Sequence, residues 1–220
     1  MIVAAQKPIE EIRGYIESHK SVCVLGCGTC VTVCLAGGER EVSTLASILR
    51  ISTHLDITEG CIERQCDEEF FEPVSESIQA CEAVLSLACG VGVQMVARIF
   101  KEKPVYPALN TMFIGTNDGA GQWSENCMAC GDCKLGVWGG VCPVTRCSKS
   151  LSNGPCGGSV NGRCEVDPEN IECGWQLIYD RLKVLGKIDT LVEIAEPRDW
   201  SKTHSGGQRK LSREDIAHLQ

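Results

Sequence analysis

Aromatic residues are scarce in this chain, at 5% of 220 residues, and positive charge is scarce too: 21 Lys and Arg stand against 29 Asp and Glu, for a net charge of −8. Binding a phosphate backbone needs a clustered Lys/Arg surface. None is present, which excludes nucleic acid as the main partner. No window of 18 apolar residues occurs, so no membrane span is expected. The opening residues MIVAAQKPIEEIRG lack the basic segment and apolar run of an export signal, and a soluble, cytoplasmic protein is expected. The four histidines, His19, His54, His204 and His218, lie outside every cysteine cluster and read as surface or capping residues. There is no Walker pattern. The stretch GCGTCVTVC, residues 26–34, begins as G-x-G after an apolar run but completes no G-x-G-x-x-G. Its cysteines fill the places where a dinucleotide turn needs close backbone approach. No Ser/His/Asp order or paired-carboxylate motif suggests bond-making chemistry, so no catalytic residue is assigned.

What the chain has instead is cysteine, 16 in all. Cytoplasmic thiols are kept reduced, so metal ligation is the better reading of so many. Eight fall between Cys127 and Cys173, among Gly, Pro, Asn and Ser, with little apolar sequence for an independent core. Metal bonds can order such a stretch, because binding supplies ~10 kcal/mol or more of folding free energy.

The chain in order predicts an α/β fold: a small parallel sheet with flanking helices, then a loop-rich, metal-held domain and a C-terminal helix. Ile9, Ile12 and Ile16 mark an amphipathic helix over 8–19 that opens the fold. SVCVLG, residues 21–26, reads as a strand buried on both faces. Val42, Leu45, Ile48 and Leu49 share a helix face after Gly37 and Gly38. A second strand is predicted at 53–58, then a helix through Phe70, Val74 and Ile78. A third strand is predicted at 83–88, followed by the helix VGVQMVARIF and a fourth strand at 105–109. Strands alternating with helices give a parallel sheet. Cys27, Cys66 and Cys89 then lie beyond the carboxyl ends of strands, where open α/β sheets bind ligands. Residues 110–126 read as a connection containing an Asn-Asp-Gly turn, and Trp175, Leu177, Ile178, Leu182 and Leu185 mark a later helix. The expected division is 1–115, 116–196 and a polar tail over 197–220, with a last turn in SREDIAHLQ.

Two groups of candidate ligands follow. Cys27, Cys30 and Cys34 are spaced to project to one side if their turn enters a helix, with Cys66 or Cys89 as the fourth ligand. Cys23, Cys61 and Cys81 are read as non-ligands. In the second domain Cys127, Cys130, Cys133 and Cys142 form one set and Cys147, Cys156, Cys164 and Cys173 another, with exchange between them open. Zinc also takes four thiolates. A ribbon's two C-x2-C pairs are absent, however: one C-x2-C-x2-C is followed by gaps of 8, 4, 8, 7 and 8 residues. Iron–sulfur ligation is therefore expected, with zinc an alternative in one of the two sites. Trp123, Trp138 and Trp175 border the stretch and read as packing residues.

The strings LGCGTCVTVCLAGGEREV, IERQC, AVLSLACGVGVQ, YPALNT, GGVCPVTRCSKSLSNGPCGGSVNGRCEV and CGWQLIYDRLK together resemble the small iron–sulfur subunit of two-subunit methylenetetrahydrofolate reductases. The second half is similar to the cysteine-rich methylenetetrahydrofolate reductase C-terminal family, with NGPCGG its most specific string. The resemblance covers roughly residues 20–185. It implies 4Fe-4S clusters, two or three of them, with zinc in one C-terminal site as a further possibility. It also implies a separate flavin (FMN) TIM-barrel subunit that holds the folate site, in one-carbon metabolism. The chain would be a non-catalytic oxidoreductase subunit that relays electrons between an external electron-donor protein and that flavin partner. A zinc-held interaction module without a redox role is the alternative, and a third reading is an enzyme in its own right, with a substrate at an open iron in the first domain.

Overall fold

The structure is a computed structural model, and it describes residues 1–203, 208–211, 213 and 215. The chain divides into two compact units, Met1–Glu125 and Asn126–Gln220.

The first unit is built on a four-stranded parallel sheet of β2 (Ser21–Cys27), β3 (Asp56–Ile62), β4 (Ala83–Leu87) and β5 (Val105–Pro107), in the order β3-β2-β4-β5. Val22, Cys23, Val24 and Leu25 have no exposed surface, because β2 is central and covered on both faces. Val22 and Val24 pack with Ile12 and Ile16 of α1 (Ile9–Ile16) and with Val42, Leu45, Ala46 and Leu49 of α3 (Glu39–Ser52). Cys23 and Leu25 face Phe71 and Val74 of a 3-10 turn (Glu68–Val74), Ile78 of α4 (Ser75–Ala80) and Val96 of α5 (Gly90–Ile99). Each large apolar side chain so buried contributes ~1.5–3 kcal/mol. That gives this unit an apolar core of its own.

A second sheet differs from the sequence reading. The chain opens not on a helix but on β1 (Ile2–Gln6), which pairs antiparallel with β6 (Leu109–Gly119). β6 turns at Gly119 and Gly121, both with positive φ, into β7 (Gln122–Cys127), for the order β1-β6-β7. The stretch 110–126 is therefore a hairpin and not a bare connection, with Asn-Asp-Gly ending its first strand. Most of β6 is exposed, so it lacks the apolar alternation that marks a strand in sequence. The strand expected at 53–58 instead runs to Ile62, since Gly60, Cys61 and Ile62 stay in register with Leu25, Gly26 and Cys27.

The second unit has short elements: α6 (Pro143–Arg146), the hairpin of β8 (Arg163–Cys164) and β9 (Asp167–Glu172), and α7 (Gly174–Val184). It is not without a core, as its composition suggested. Trp138 and Trp175 meet edge to face with centroids 5.1 Å apart, and Cys173, Ile178 and Leu182 complete the buried cluster. The Trp175 indole N–H donates to the Leu151 carbonyl at 3.0 Å. Trp123 packs against the first unit's core. In the polar tail a 3-10 turn spans Trp200–Lys202. The last turn expected in SREDIAHLQ lies mostly outside the described residues, as do His204 and His218.

Candidate metal centres

The sheet order crosses over between β2 and β4, and the crevice at the carboxyl ends of such neighbours is where doubly wound sheets take ligands. Cys27 ends β2, Cys66 lies in the loop after β3, and Cys89 is the residue before α5. Cys66 stands within electrostatic range of both Cys27 and Cys89. Burial first and the Cys27 thiol second push its own thiol up from the ordinary value, and Cys89 adds to them. Cys61 is also raised, by burial and then by Cys27. It faces the α3 side of the sheet: a Cβ on Gly26 would meet its sulfur at 3.0 Å and Val42 at 2.6 Å.

α2 (Cys30–Val33) is a single turn, and the Cys34 amide donates to the Cys30 carbonyl at 3.3 Å, so these two cysteines stand one helical turn apart. Cys27 and Cys34 belong to the same buried cluster. The Cys27 sulfur lies 3.8 Å from Thr29 Oγ1. The Cys34 sulfur accepts from the Ala4 amide at 3.4 Å and lies 3.5 Å from both the Ala4 and Val31 carbonyls. Burial raises its thiol above the ordinary range. Cys23 and Cys81 sit in the core facing α4 and α5, and burial pushes Cys23 up to about 12.

A residue that no motif singles out fixes this end of the sheet. Gln65 is fully buried; its Nε2 donates to the Leu25 carbonyl of β2 at 2.8 Å, and its Oε1 accepts from the Ser86 hydroxyl of β4 at 2.7 Å. It spans the crossover and holds its neighbour Cys66 beside Cys27 and Cys89. The only signal in sequence is an uncharged polar residue next to a cysteine.

In the second unit, Cys147, Cys156, Cys164 and Cys173 all line one cavity of about 230 Å³, together with Lys149, Glu165 and Tyr179. Residues far apart in sequence meet there because the β8/β9 hairpin carries Cys164 back toward α6, while Cys173 starts α7 against the Trp core. Donors already point at these sulfurs. The Gly158 amide donates to Cys156 at 3.4 Å, and Ser148 Oγ lies 3.4 Å from Cys164. The Ser148 hydroxyl, with the Val166 and Asp167 amides, lowers the Cys164 thiol below its usual value. Cys156 in turn donates to Glu165 Oε1 at 3.2 Å, and Glu165 pairs with Lys149. A Cβ on Gly158 would stand 1.8 Å from the Glu165 carboxylate, so a larger residue there would displace Glu165 from its place beside Cys156.

The other set is more open. Cys127 and Cys133 are exposed, and Cys130 and Cys142 half-buried. The loop alternates left-handed residues, Ala129 (φ 53°) and Gly131 (φ 84°), a form that turns successive amides toward an anionic centre. The Ala129 amide donates to Cys127 at 3.4 Å, repeating the Gly158–Cys156 device two residues beyond a cysteine. Thr145 Oγ1 donates to the Asn126 carbonyl at 3.1 Å, tying the loop's start to the helix that Cys142 precedes. Among the described residues, no three His, Cys, Asp or Glu side chains close on a single point at metal-binding distance.

The fold and its sites define an α/β unit followed by a thiol-rich unit, four of whose eight cysteines line one cavity. Residues 106–201, which include every cysteine of that second unit, match the family described as methylene-tetrahydrofolate reductase C terminal. The match links this half of the chain to methylenetetrahydrofolate reductase; residues 1–105 lie outside it. No curated protein and no solved structure matches the chain. Among the described residues, no helix is long and apolar enough to cross a membrane.

Proposed function

We propose that this chain is an iron–sulfur electron-relay subunit of a methylenetetrahydrofolate reductase, working with a separate flavin-bearing partner. The observation that carries the reading is the single cavity ringed by Cys147, Cys156, Cys164 and Cys173, within the unit that matches the reductase family. A zinc ion needs four sulfurs about 2.3 Å from one point. A cubane takes each thiolate on a different iron, so its ligands surround a volume. The donor set fits the latter: four thiols around a cavity, with amide and hydroxyl donors on two of the sulfurs. Cys127, Cys130, Cys133 and Cys142 would hold a second centre, and Cys27, Cys30, Cys66 and Cys89 a third at the sheet's crossover. Cys34 would join only by giving up its partners on β1.

Bound clusters would supply one-electron transfer at potentials set by charge, hydrogen bonds and exposure. The chain's own residues set those terms. Ser148 and the amides of Val166, Asp167 and Gly158 stabilise sulfur charge around the cavity, and Lys149, paired with Glu165, brings a cation to its rim. Trp175 and Tyr179 line it.

The test is the metal content of chain purified without oxygen. Iron with equimolar acid-labile sulfide, and visible absorbance that bleaches on reduction, is the expected result. Colourless protein carrying zinc alone would instead establish a zinc-held interaction module.

A further inference from the structure

The sequence reads the tail beyond Pro197 as polar and irregular, yet its described part is bonded to the C-x2-C-x2-C loop. Arg198 Nη2 donates to the Cys130 sulfur at 2.8 Å and also to the Asp132 carbonyl. Arg198 is half-buried although Asp199 and Trp200 beside it are exposed. Its guanidinium lies over the Trp200 ring, 5.4 Å from the centroid. Arg209 donates to the Ala129 carbonyl at 3.3 Å and to the Lys202 carbonyl at 2.5 Å, closing the tail onto the other side of the same loop. Between these two anchors the Lys202 carbonyl comes so near that a Cβ on Gly131 would stand 2.7 Å from it. Glycine at 131 thus serves both the positive φ of the loop and the approach of the tail.

We propose that Arg198 is a positioning residue for the metal centre of the Cys127–Cys133 loop, and that residues 198–203, with Arg209, form a strap that retains the metal there. The inference rests on the reading that this loop holds a metal. Thiolates crowded on one centre carry excess negative charge, and a guanidinium on one of their sulfurs offsets it in a way that amide donors cannot. A fixed cation beside a cluster favours its reduced, more negative form, and therefore raises its potential. The strap also covers Cys130, the one sulfur of the three that is not exposed, and limits access of chelator and oxygen to it. No other cysteine of the second unit has an arginine hydrogen-bonded to it among the described residues, so the effect is confined to one centre.

The test uses the full chain, purified anaerobically with its metal, as wild type and as Arg198→Gln, Arg198→Lys, Arg209→Gln and Cys130→Ala. Metal release into an excess of coloured chelator is followed, and the phase missing in Cys130→Ala identifies the loop's centre. Arg198→Gln should speed that phase ~10-fold or more, the scale on which outer partners affect metal affinity, and leave the other phases unchanged. Arg198→Lys should restore part of the retention. Redox titration should show a lower midpoint for that centre in Arg198→Gln, with partial recovery in Arg198→Lys, a response that a purely structural role would not give. Should Arg198→Gln fail to fold, Arg209→Gln, whose partners are backbone carbonyls, should speed the same phase by a smaller factor. Unchanged release and midpoint, or Gln and Lys behaving alike, would overturn the proposal. A wild type that holds zinc alone sinks the electron-relay reading, yet release from the loop still decides the role of Arg198. A loop that holds no metal overturns the proposal for Arg198, while iron and sulfide at the Cys147–Cys173 cavity would leave the electron-relay reading standing.

Discussion

Replacing Gln65 by Leu keeps the side chain's bulk and removes its two hydrogen bonds, to the Leu25 carbonyl and from the Ser86 hydroxyl. Both sites have no exposed surface, so no water replaces what is lost. Two hydrogen bonds are worth ~0.5–1.5 kcal/mol each, and a buried polar group left unpaired costs ~1–3 kcal/mol. One lost bond together with one buried group left unpaired gives an expected loss of ~2–4 kcal/mol. Repacking offers little relief, because a Cβ on Gly92 would already stand 2.9 Å from Gln65 Cβ, which shows how close α5 comes. Adding Ser86→Ala should then cost less than it does alone, since both polar partners are gone, with coupling of at least ~0.5 kcal/mol. Hydrogen exchange of the slowest amides in β2 and β4 reads the opening free energy of this sheet without assuming that the two units unfold together. Costs that simply add, or a single-variant loss under ~0.5 kcal/mol, would refute the claim that Gln65 ties the crossover together.

Ile178→Ala should destabilise the second unit by ~2–5 kcal/mol, because Ile178 is fully buried in a core of few residues; proteolysis confined to 126–203 checks this, and cleavage spread evenly over both units would count against it. Cys23 makes the first unit weaker in alkali. Its thiol keeps its proton to about 12 in the fold but is released near 9.0 once unfolded, so the stability it lends is complete below pH ~9 and lost as pH rises toward ~12, by at most ~1.4 kcal/mol per unit. Cys23→Val should flatten that fall in denaturant titrations between those pH values, and an unchanged slope would show that Cys23 does not titrate this way. Gly37→Ala should lower stability by ~1–3 kcal/mol, since its Cβ would stand 2.1 Å from the Leu87 carbonyl oxygen; thermal unfolding at or above the wild-type temperature would contradict the packing described.

The parallel sheet was legible because its strands are buried on both faces, and SVCVLGC or AVLSL can read as little else. The helix Glu39–Ser52 was legible for the same kind of reason, with Val42, Leu45 and Leu49 fixing its period. β1 and the 109–127 hairpin were not, as a mostly exposed sheet leaves no periodic mark. The Trp138–Trp175 contact was hidden because pairs 37 residues apart carry no local signal, so a stretch that appeared coreless turned out to have one. At the candidate site, counting and spacing grouped Cys147, Cys156, Cys164 and Cys173, the four that line one cavity. Spacing could not show that the Cys34 sulfur also has partners on β1, because that strand leaves no periodic mark. Gln65 and Arg198 act through distant backbone and sulfur partners, which spacing cannot reveal.

The most direct test of the central claim is to count iron, zinc and sulfide per chain in wild type and in four single variants, Cys147→Ala, Cys156→Ala, Cys164→Ala and Cys173→Ala. If the cavity holds one cluster, each variant loses the same quantity of iron and sulfide, with the same component missing from the spectrum of the reduced protein. Variants that keep the full wild-type iron and sulfide, or that lose only zinc, would contradict it.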